Sequence, residues 1–578
     1  LGYLEVVENE RVPLRQAEGL SLNYFQDLPL QKGVFIDGEG PIILNETSAP
    51  LDHVDSTTFG VALRLLGTPE NAFVAGARGM PELVRLAQLG TSAIYLSEAD
   101  SHLLELIASQ PGWGGDILRS RRVRTRHADP RSTIAGLDRS FDLIHLPFAS
   151  GQQALEPTSL VTVESIEEML VHLDGRGLIA ITTPIESPPR AVPRLLVTTA
   201  IALENLELDP AKHVAAIRAW DAATILVSRS KLSTERIASI RSFAGEQSFD
   251  LIWVPGMQAD EANRFNVLDR AWHHEAARAA VTSAETRNRF IERYKFDVSP
   301  PTDDRPWFGS AMKWETLLEL LELRDEGGTA LIRNGYPVLI VALLQAVLSG
   351  AILIVLPLAL TRSRGSGDRK LSHWRVVVTF GSLGLAFLMI EIIYIYRLTM
   401  VLGRPLESTT IVLASFLLFS GLGSITSAKL RSALGFSTLK MFAVTCTAAA
   451  TLSLVEIPLL ATAEGWLLHL DHSLRVVSCI GLIAPLAFLM GSPFPTALET
   501  IRRAGNEWWI AWAWAINGCA SVVSAILAAL LTIHLGMAVV TSIGAGLYLL
   551  AGIAFSTSPR LDDFAINAAP ETYRPQQT

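Results

Sequence analysis

Seven long apolar stretches dominate the second half of the chain. Each contains about twenty mostly apolar residues, enough for a helix to cross a hydrocarbon core of ~30 Å. None shows the period-two alternation of a barrel strand, and in lipid only helices or closed barrels satisfy their backbone groups. The pattern therefore predicts an all-α transmembrane bundle of seven helices, at residues 337–360, 376–396, 408–427, 441–463, 476–498, 508–533 and 537–555.

The first half has a different pattern, in which short apolar runs alternate with amphipathic segments. Helices are predicted at 81–89 and 101–109, and strands at 71–75, 92–96, 123–127, 141–145 and 177–182. Such alternation is typical of a mostly parallel, doubly wound sheet whose ligand crevice lies at the carboxyl ends of its strands. The expected domains are a β-rich extension (1–50), an α/β Rossmann-like domain (51–334), the transmembrane domain (335–556) and a tail (557–578).

The composition fits a membrane protein with a soluble first half. Charged residues make up 18% of the 578 residues, and the mean hydropathy is +0.32. The 57 acidic residues outnumber the 48 basic ones, so no basic excess suits a nucleic-acid partner. Cys446, Cys479 and Cys519 all lie in the second half, which excludes disulfides, Cys-ligated zinc and CxxCH haem attachment from the first. Because the chain begins with Leu1, we expect a processed N-terminus or further sequence upstream.

Basic residues in the short loops predict the orientation of the bundle, because Lys and Arg favour the cytoplasmic side. The alternate loops carry three basic residues, Arg397, Arg404 and Arg475. The other loops and the tail carry twelve: Arg362, Arg364, Arg369, Lys370, Arg375, Lys429, Arg431, Lys440, Arg502, Arg503, Arg560 and Arg574. This bias predicts a cytoplasmic tail, and the odd number of crossings then predicts a periplasmic or external location for residues 1–334.

Three strand ends carry residues that could hold an adenosyl ligand. The first strand ends in Gly76-Ala-Arg-Gly79, where a glycine-rich turn would let the backbone approach the ligand. Glu98 and Asp100 follow the second strand, where a carboxylate can bind ribose hydroxyls, and Asp129 follows the third, where it could bind an adenine amino group. Alternatively, these residues only cap helices and form turns. The sequence leaves both readings open.

Several motifs resemble a known family, the bacterial multi-pass membrane proteins that carry a spermidine-synthase-like domain, often described as fused to a major-facilitator-type portion. In the membrane half the resemblance runs through Glu391, 419–423, 491–495 and Trp514-Ala-Ile-Asn517-Gly518. In the first half it rests on residues 17–23, 33–38, 141–145, 162–164, 188–190, 263–266 and 302–306. The resemblance implies a spermidine-synthase or methyltransferase-like domain, related to enzymes that use S-adenosylmethionine or decarboxylated S-adenosylmethionine.

The chain departs from this family pattern at the positions that would carry catalysis. Where the glycine loop would read GxGxG, Arg78 and Met80 replace two glycines and should intrude on the cofactor's methionine part. Soluble spermidine synthases end the fourth strand with an Asp, and Pro147 stands there instead, which cannot act as a base. Asp142 and His145 remain as weak catalytic candidates, each more typical of an ordinary strand residue.

Other polar groups have both architectural and functional readings. Asp303, Asp304 and Arg305 could bind a metal or a cation, although an ion-pair knot that fixes the domain on the bundle is favoured. His273-His274 beside Glu275 is a weak metal candidate, and a solvated helix face is favoured. We assign no metal site.

In the membrane half, Glu391 and Glu456 either mark a proton, ion or substrate path, or lie near helix ends or bonded to a neighbour. Asn517 is a further intramembrane polar residue. The glycines and prolines at 421–423 and 491–495 favour close helix packing, and Trp508, Trp509, Trp512 and Trp514 are predicted to anchor a helix at the headgroup layer.

Three functions compete on these grounds. The favoured one is a non-catalytic, degenerate Rossmann domain that serves as a docking or structural subunit of a complex in a bacterial plasma membrane. For this function we expect the lipid bilayer and other membrane or periplasmic subunits as partners. We expect no nucleic acid and assign no cofactor. The second is a transferase that acts on a polyamine or another amine, with Glu98 and Asp129 holding the nucleoside. The third is a transporter or export component with Glu391 and Glu456 in its path.

Overall fold

The computed structural model describes residues 2–9, 11–147, 157–322, 335–360, 373–503, 505 and 507–556. The chain divides into two compact units, Leu1–Arg333 and Asn334–Thr578. The predicted tail, and the loop that carries Arg362, Arg364, Arg369 and Lys370, lie outside the described residues.

A small antiparallel sheet opens the first unit. Its strands are β1 (Leu4–Val7), β2 (Gln31–Ile36) and β3 (Glu39–Asn45), paired in that order. Asp37 and Gly38 connect β2 to β3, and both have positive φ, the backbone conformation of a tight hairpin turn whose twist matches the strands.

The main sheet of the first unit has eight strands in the order β11-β9-β10-β8-β7-β4-β5-β6. Strands β8, β7, β4, β5 and β6 are parallel, and β9, β10 and β11 pair antiparallel. The strands are β4 (Asn71–Ala75), β5 (Ala93–Ser97), β6 (Val123–Arg126), β7 (Phe141–Pro147), β8 (Leu173–Pro184), β9 (Val214–Arg218), β10 (Ala222–Ser228) and β11 (Asp250–Trp253). The predicted α/β Rossmann-like class is confirmed. The strand order reverses between β4 and β7, where ligands of such sheets bind.

Helices cover both faces of the main sheet, and two apolar cores result. Along β4, Ala72 and Val74 enter one core and Phe73 and Ala75 the other, as the alternation of strand side chains requires. The helices are α1 (Gly60–Leu66), α2 (Met80–Leu89), α3 (Ser101–Ala108), α4 (Gly115–Leu118), α5 (Pro130–Ala135), α6 (Val163–Val171), α7 (Ala191–Asn205), α8 (Pro210–His213), α9 (Thr234–Gln247), α10 (Trp272–Thr282), α11 (Ala284–Arg293) and α12 (Trp314–Glu322).

The second unit is helical throughout its described residues, and seven of its segments are long and apolar enough to cross a membrane. The helices are α13 (Gly335–Gly350), α14 (Leu356–Leu360), α15 (His373–Leu402), α16 (Pro405–Ala433), α17 (Thr438–Leu468), α18 (His472–Met490), α19 (Pro493–Arg503), α20 (Trp508–Leu535) and α21 (Met537–Ser556). The α18 and α19 helices form one span, His472–Arg503. The predicted seven helices are confirmed.

Small residues bring these helices close together. A Cβ added to Gly423 of α16 would lie 2.0 Å from the carbonyl oxygen of Phe488, and one added to Gly491 would lie 2.0 Å from that of Ser420. The packing interpretation of both glycine motifs is therefore confirmed. Asn517 of α20 donates a hydrogen bond to the carbonyl oxygen of Phe380 in α15 at 3.2 Å, so it joins two helices.

Three residues of the second unit correct the sequence-based expectations. Trp509 is buried in the bundle core, so it packs between helices and is not an anchor like the exposed Trp508. Arg397 and Arg475 lie buried within helices and not in loops. The guanidinium group of Arg397 bonds to Glu464, and that of Arg475 bonds to four backbone carbonyl oxygens. They therefore do not count as loop charges.

Candidate functional site

The turn after β4 is shaped by its two glycines. Gly76 has φ +92°, a conformation that residues with a Cβ rarely adopt. A Cβ on Gly79 would lie 2.4 Å from Cγ1 of Val74, so this position admits only glycine without rearrangement. The glycine pattern therefore follows from the turn geometry and from close packing of the loop on β4.

Glu98 lies beside this turn, as a Rossmann ligand site requires, but its carboxylate is already bonded to the backbone. One oxygen accepts the N–H of Ala77 at 2.9 Å, and the other accepts the N–H of Asp100 at 3.0 Å. Burial raises the pKa of Glu98, against the effect of these hydrogen bonds. The side chain thus connects the turn after β4 to the end of β5.

Asp100 and Asp129 serve as helix caps. The carboxylate of Asp100 accepts the N–H groups of His102 at 2.9 Å and Leu103 at 3.3 Å, at the start of α3. Asp129 accepts the N–H of Ser132 at 3.1 Å, at the start of α5. The capping interpretation of both residues is confirmed.

The carboxylates at the carboxyl ends of these strands are therefore poorly placed to hold an adenosyl group. Of the three carboxylates predicted to hold it, Glu98 bridges two backbone N–H groups, and Asp100 and Asp129 cap helices. Arg78 stands in the turn where the sequence resemblance implied a glycine. No chemical step is derived through S-adenosylmethionine or its decarboxylated form.

The weak catalytic candidate Asp142 makes backbone hydrogen bonds. It lies near the start of β7, at the opposite edge of the sheet from the strand carboxyl ends, and accepts the N–H groups of Glu70 at 2.8 Å and Asn71 at 2.9 Å. These hydrogen bonds hold the backbone where the neighbouring strand β4 begins.

His145 is buried in the middle of β7. Its ring packs on Phe59, with centroids 4.3 Å apart, and its Nδ1 lies 3.3 Å from the carbonyl oxygen of Ala180. Burial lowers the pKa of His145 to about 3, so the ring is neutral at physiological pH. It is therefore unsuited to storing a proton for catalysis near neutral pH.

A cavity of about 230 Å³ opens at the carboxyl edge of the sheet. Pro147 of β7 and Thr182 of β8 form part of its floor, and residues from the N-terminal segment and β3 form other walls. Arg78 lines it, as expected, whereas Met80 does not: Met80 is buried in the apolar core, so the expected intrusion of its side chain is wrong. Glu98, Asp100 and Asp129 are not among the residues that line this cavity.

Four titratable residues line this cavity: Glu18, His53, Arg78 and Glu82. Burial raises the pKa of Glu82 to about 7, and burial also raises the pKa of Glu18, at the cavity mouth, to about 7, although the charge of Arg78 opposes the rise. Burial, followed by the charge of Arg85, lowers the pKa of His53 to about 4. The cavity wall therefore carries carboxyl groups that are half protonated near neutral pH.

Two buried polar atoms, one on a residue that lines the cavity and one on a residue beside it, have no hydrogen-bond partner within the described part of the chain. They are Oε2 of Glu82 and Nε2 of His145, which lie 3.9 Å apart, too far for a hydrogen bond. Because the histidine ring is uncharged near neutral pH, they do not form an ion pair. Buried polar atoms are normally satisfied, so this pair suggests a bound polar group or water.

Sequence reasoning did not identify Glu18, His53 or Glu82. Glu18 lies within one of the family-like motifs, and that was the only available signal. Glu82 is in the first turn of α2, where an acidic residue is ordinary, and His53 stands in a short turn before α1. Only the fold brings these three positions to one wall.

The remaining candidates are structural. His273 and His274 are buried, so the expected solvated face is wrong: α10 packs on α7 and β11, and Nδ1 of His274 lies 3.0 Å from the carbonyl oxygen of Ile252. Among the residues that the structure describes, no group of three or more His, Cys, Asp or Glu could hold a metal ion.

Asp303 and Arg305 take part in an ion-pair network within the first unit. Both oxygens of Asp303 bind the guanidinium group of Arg131, at 2.6 and 2.8 Å, and Arg131 also binds Glu168 at 3.0 Å. The guanidinium group of Arg305 bonds to the hydroxyl of Ser299 and lies 3.9 Å from Asp297. All these partners belong to the first unit.

Comparison with solved structures finds spermidine synthases and methyltransferases that are similar to this chain. No protein-family model and no curated protein sequence matches it. A probable spermidine synthase from Corynebacterium glutamicum is 18% identical, with a TM-score of 0.27 over 37% of this chain and 78% of its own. A spermidine synthase in complex with the transition-state analogue AdoDATO is 12% identical, with a TM-score of 0.26 over 51% and 95%.

A methyltransferase is a further structural neighbour. Human methyltransferase-like protein 13, in complex with SAH, is 16% identical, with a TM-score of 0.24 over 32% of this chain and 88% of its own. The Rossmann-like class of the first unit follows from its own strand order and parallel pairing. The chain thus combines such a unit with seven helices able to cross a membrane.

Proposed function

We propose that this chain is a multi-pass membrane protein whose spermidine-synthase-like domain is non-catalytic and serves as a docking or structural subunit of a membrane complex. One observation carries the proposal: the carboxylates that would hold an adenosyl cofactor are bonded to the backbone of their own domain. Pro147 at the end of β7 supports it, because proline supplies no base to free the attacking amine.

The proposed location is a bacterial plasma membrane, with the domain on the periplasmic face and the C-terminus in the cytoplasm. The support is the excess of Lys and Arg in one set of loops. The proposed partners are other membrane or periplasmic proteins that meet the domain on that face.

A direct test measures adenosyl binding by the full chain in lipid nanodiscs. S-adenosylmethionine, decarboxylated S-adenosylmethionine and methylthioadenosine are titrated by calorimetry, and we expect no binding at millimolar ligand, where a dissociation constant of 1 mM corresponds to about −4 kcal/mol. Micromolar binding that Glu98→Ala abolishes would overturn the proposal. Purification in mild detergent after cross-linking should also yield a stoichiometric membrane or periplasmic partner.

A second candidate function is binding of a polyamine-type amine in the cavity, without transfer. It is favoured by the unsatisfied Glu82 and His145 atoms and by Glu18 at the mouth. An ammonium group could donate hydrogen bonds to the Glu82 carboxylate and stabilise its charged form, so binding near pH 7 would release protons.

Calorimetry with putrescine and spermidine tests this second function. The apparent enthalpy of binding should vary with the ionisation enthalpy of the buffer, because protons are released. Glu82→Gln should weaken binding by at least tenfold, and Glu105→Gln, on an exposed face of α3, is the matched control. Equal affinity of the two variants would remove the cavity from consideration as an amine site.

A further inference from the structure

One face of α15 carries three polar side chains inside the bundle. Glu391, Tyr394 and Arg397 follow one another at three-residue spacing, which places them on the same side of the helix at rises of about 4.5 Å. Their exposed fractions are only 5%, 2% and 4%. Glu391 lies near the middle of α15, so the alternative that it sits near a helix end is wrong.

Two contacts connect this face to α17. The hydroxyl of Tyr394 donates a hydrogen bond to the carboxylate of Glu456, which is 4% exposed and lies in the middle of α17. Nη1 of Arg397 lies 2.7 Å from Oε1 of Glu464, closer to the end of α17. The polar groups thus extend from the interior of the bundle toward the ends of both helices.

The other ionisable groups near this face come from neighbouring helices. On α18, the Cys479 side chain interacts electrostatically with Arg475 and Glu464. On α21, Tyr548 interacts in the same way with Glu391 and with Cys446 of α17. Arg475 is held by the carbonyl oxygens of Val401, Leu467, Leu468 and Leu470. The nearby cations therefore have established partners of their own.

Glu391 makes no hydrogen bond or ion pair with any residue that the structure describes, although it is almost fully buried. A charged carboxylate in such surroundings is costly unless a cation or a proton neutralises it. A metal ion is not supported, because no group of three or more His, Cys, Asp or Glu among the described residues could hold one. A proton needs only one oxygen and no coordination shell.

We propose that Glu391 and Glu456 form an intramembrane proton-binding site, which exchanges with water at the membrane face where α15 and α17 end. The Arg397–Glu464 pair lies between the site and that face and provides the polar lining for entry. In the binding step one proton from water adds to a carboxylate oxygen, and the charge of the site rises by one. The Tyr394 hydrogen bond need not break, because its hydroxyl can donate to the carbonyl oxygen of the acid.

Infrared difference spectroscopy of the full chain in lipid nanodiscs tests this proposal. Spectra are recorded across a pH series, and the C=O stretch of protonated carboxylic acids reports proton uptake. We expect the difference between the spectra of the unmodified chain and of the double variant to contain a pH-dependent acid band with two components, and Glu391→Gln and Glu456→Gln should each remove one of them. Tyr394→Phe should shift the Glu456 component, because it removes one hydrogen bond and leaves the carboxyl group in place.

Glu407→Gln is the matched control, since Glu407 pairs with His472 at 2.8 Å near the start of α16. The control should leave the acid band in the interior unchanged. The absence of a pH-dependent acid band from the difference between the unmodified chain and the double variant would overturn the proposal. Because Tyr394→Phe keeps both carboxyl groups, an absent spectral shift in that variant also contradicts it, even where a Gln variant fails to fold.

Discussion

Replacing Glu98 with alanine separates a structural carboxylate from one that binds a ligand. Its two oxygens accept the N–H groups of Ala77 at 2.9 Å and Asp100 at 3.0 Å. Each hydrogen bond to a charged group contributes about 1.5–3 kcal/mol. Burial of the carboxylate, which raises its pKa, opposes part of that gain. We therefore expect Glu98→Ala to destabilise the turn after β4 and the start of α3 by about 2 kcal/mol.

Hydrogen–deuterium exchange of the full chain in nanodiscs measures this local loss. A change of about 2 kcal/mol in local opening corresponds to roughly 30-fold faster exchange of the amides concerned. Peptides that cover residues 76–79 and 98–103 should show it, and peptides from the second unit should not. Glu105→Ala is the control, because its side chain is 71% exposed on α3 and makes no buried backbone contact.

The opposite result would refute the structural role of Glu98. Unchanged exchange in Glu98→Ala means that the two N–H groups do not depend on the carboxylate. If an adenosyl compound also slows exchange in the unmodified protein and not in the variant, Glu98 is a ligand-binding residue. The non-catalytic proposal would then fail as well.

Three further changes test the fold and the cavity. Arg194→Met should lower the free energy of unfolding by about 3–5 kcal/mol in urea titrations, because the buried guanidinium group donates to the carbonyl oxygens of residues 299, 307, 308 and 310; retained stability would contradict this. Gly79→Ala should cost about 1–3 kcal/mol by thermal melting, because its Cβ would lie 2.4 Å from Val74, and an unchanged melting temperature would show that the loop relaxes freely. The pKa of Glu82 in the folded chain is about 7, above its ordinary value of 4.5, so its contribution to stability should fall by about 3 kcal/mol as pH rises from 4.5 to 7. Glu82→Gln should reduce the dependence of stability on pH by that amount and leave the part due to Glu18 and Glu164, and an unchanged dependence would contradict the prediction.

The strand core of the fold was predictable because its pattern is local. The runs at 71–75 and 141–145 are mostly apolar, as is typical of buried parallel strands, and both are strands in the structure. The predicted strand at 177–182 begins earlier, at Leu173, because polar residues extend β8 beyond the apolar core. The antiparallel strands β9 to β11 were not predicted, since apolar runs alone do not distinguish strand direction.

The site was less predictable because it depends on distant residues. Glu98, Asp100 and Asp129 stand where a Rossmann ligand site has its carboxylates, but only hydrogen-bond geometry shows which backbone groups they bind. The cavity wall combines Glu18 with Glu82, and no spacing rule connects these positions. His273 misled for a similar reason: its helix looks polar, yet that side packs against α7 and β11.

The contact between Arg131 and Asp303 also has a mechanical consequence. It joins residues 172 positions apart, and Asp303 precedes the point where the chain leaves the first unit. The guanidinium group of Arg194 donates hydrogen bonds to the carbonyl oxygens of Trp307, Phe308 and Ser310. A pull on the chain beyond residue 313 therefore acts on the end of α11, where Lys313 donates hydrogen bonds to the carbonyl oxygens of Ile291, Glu292 and Tyr294. It also acts on α5 through Arg131 and on α7 through Arg194, so three separate segments of the first unit share the load.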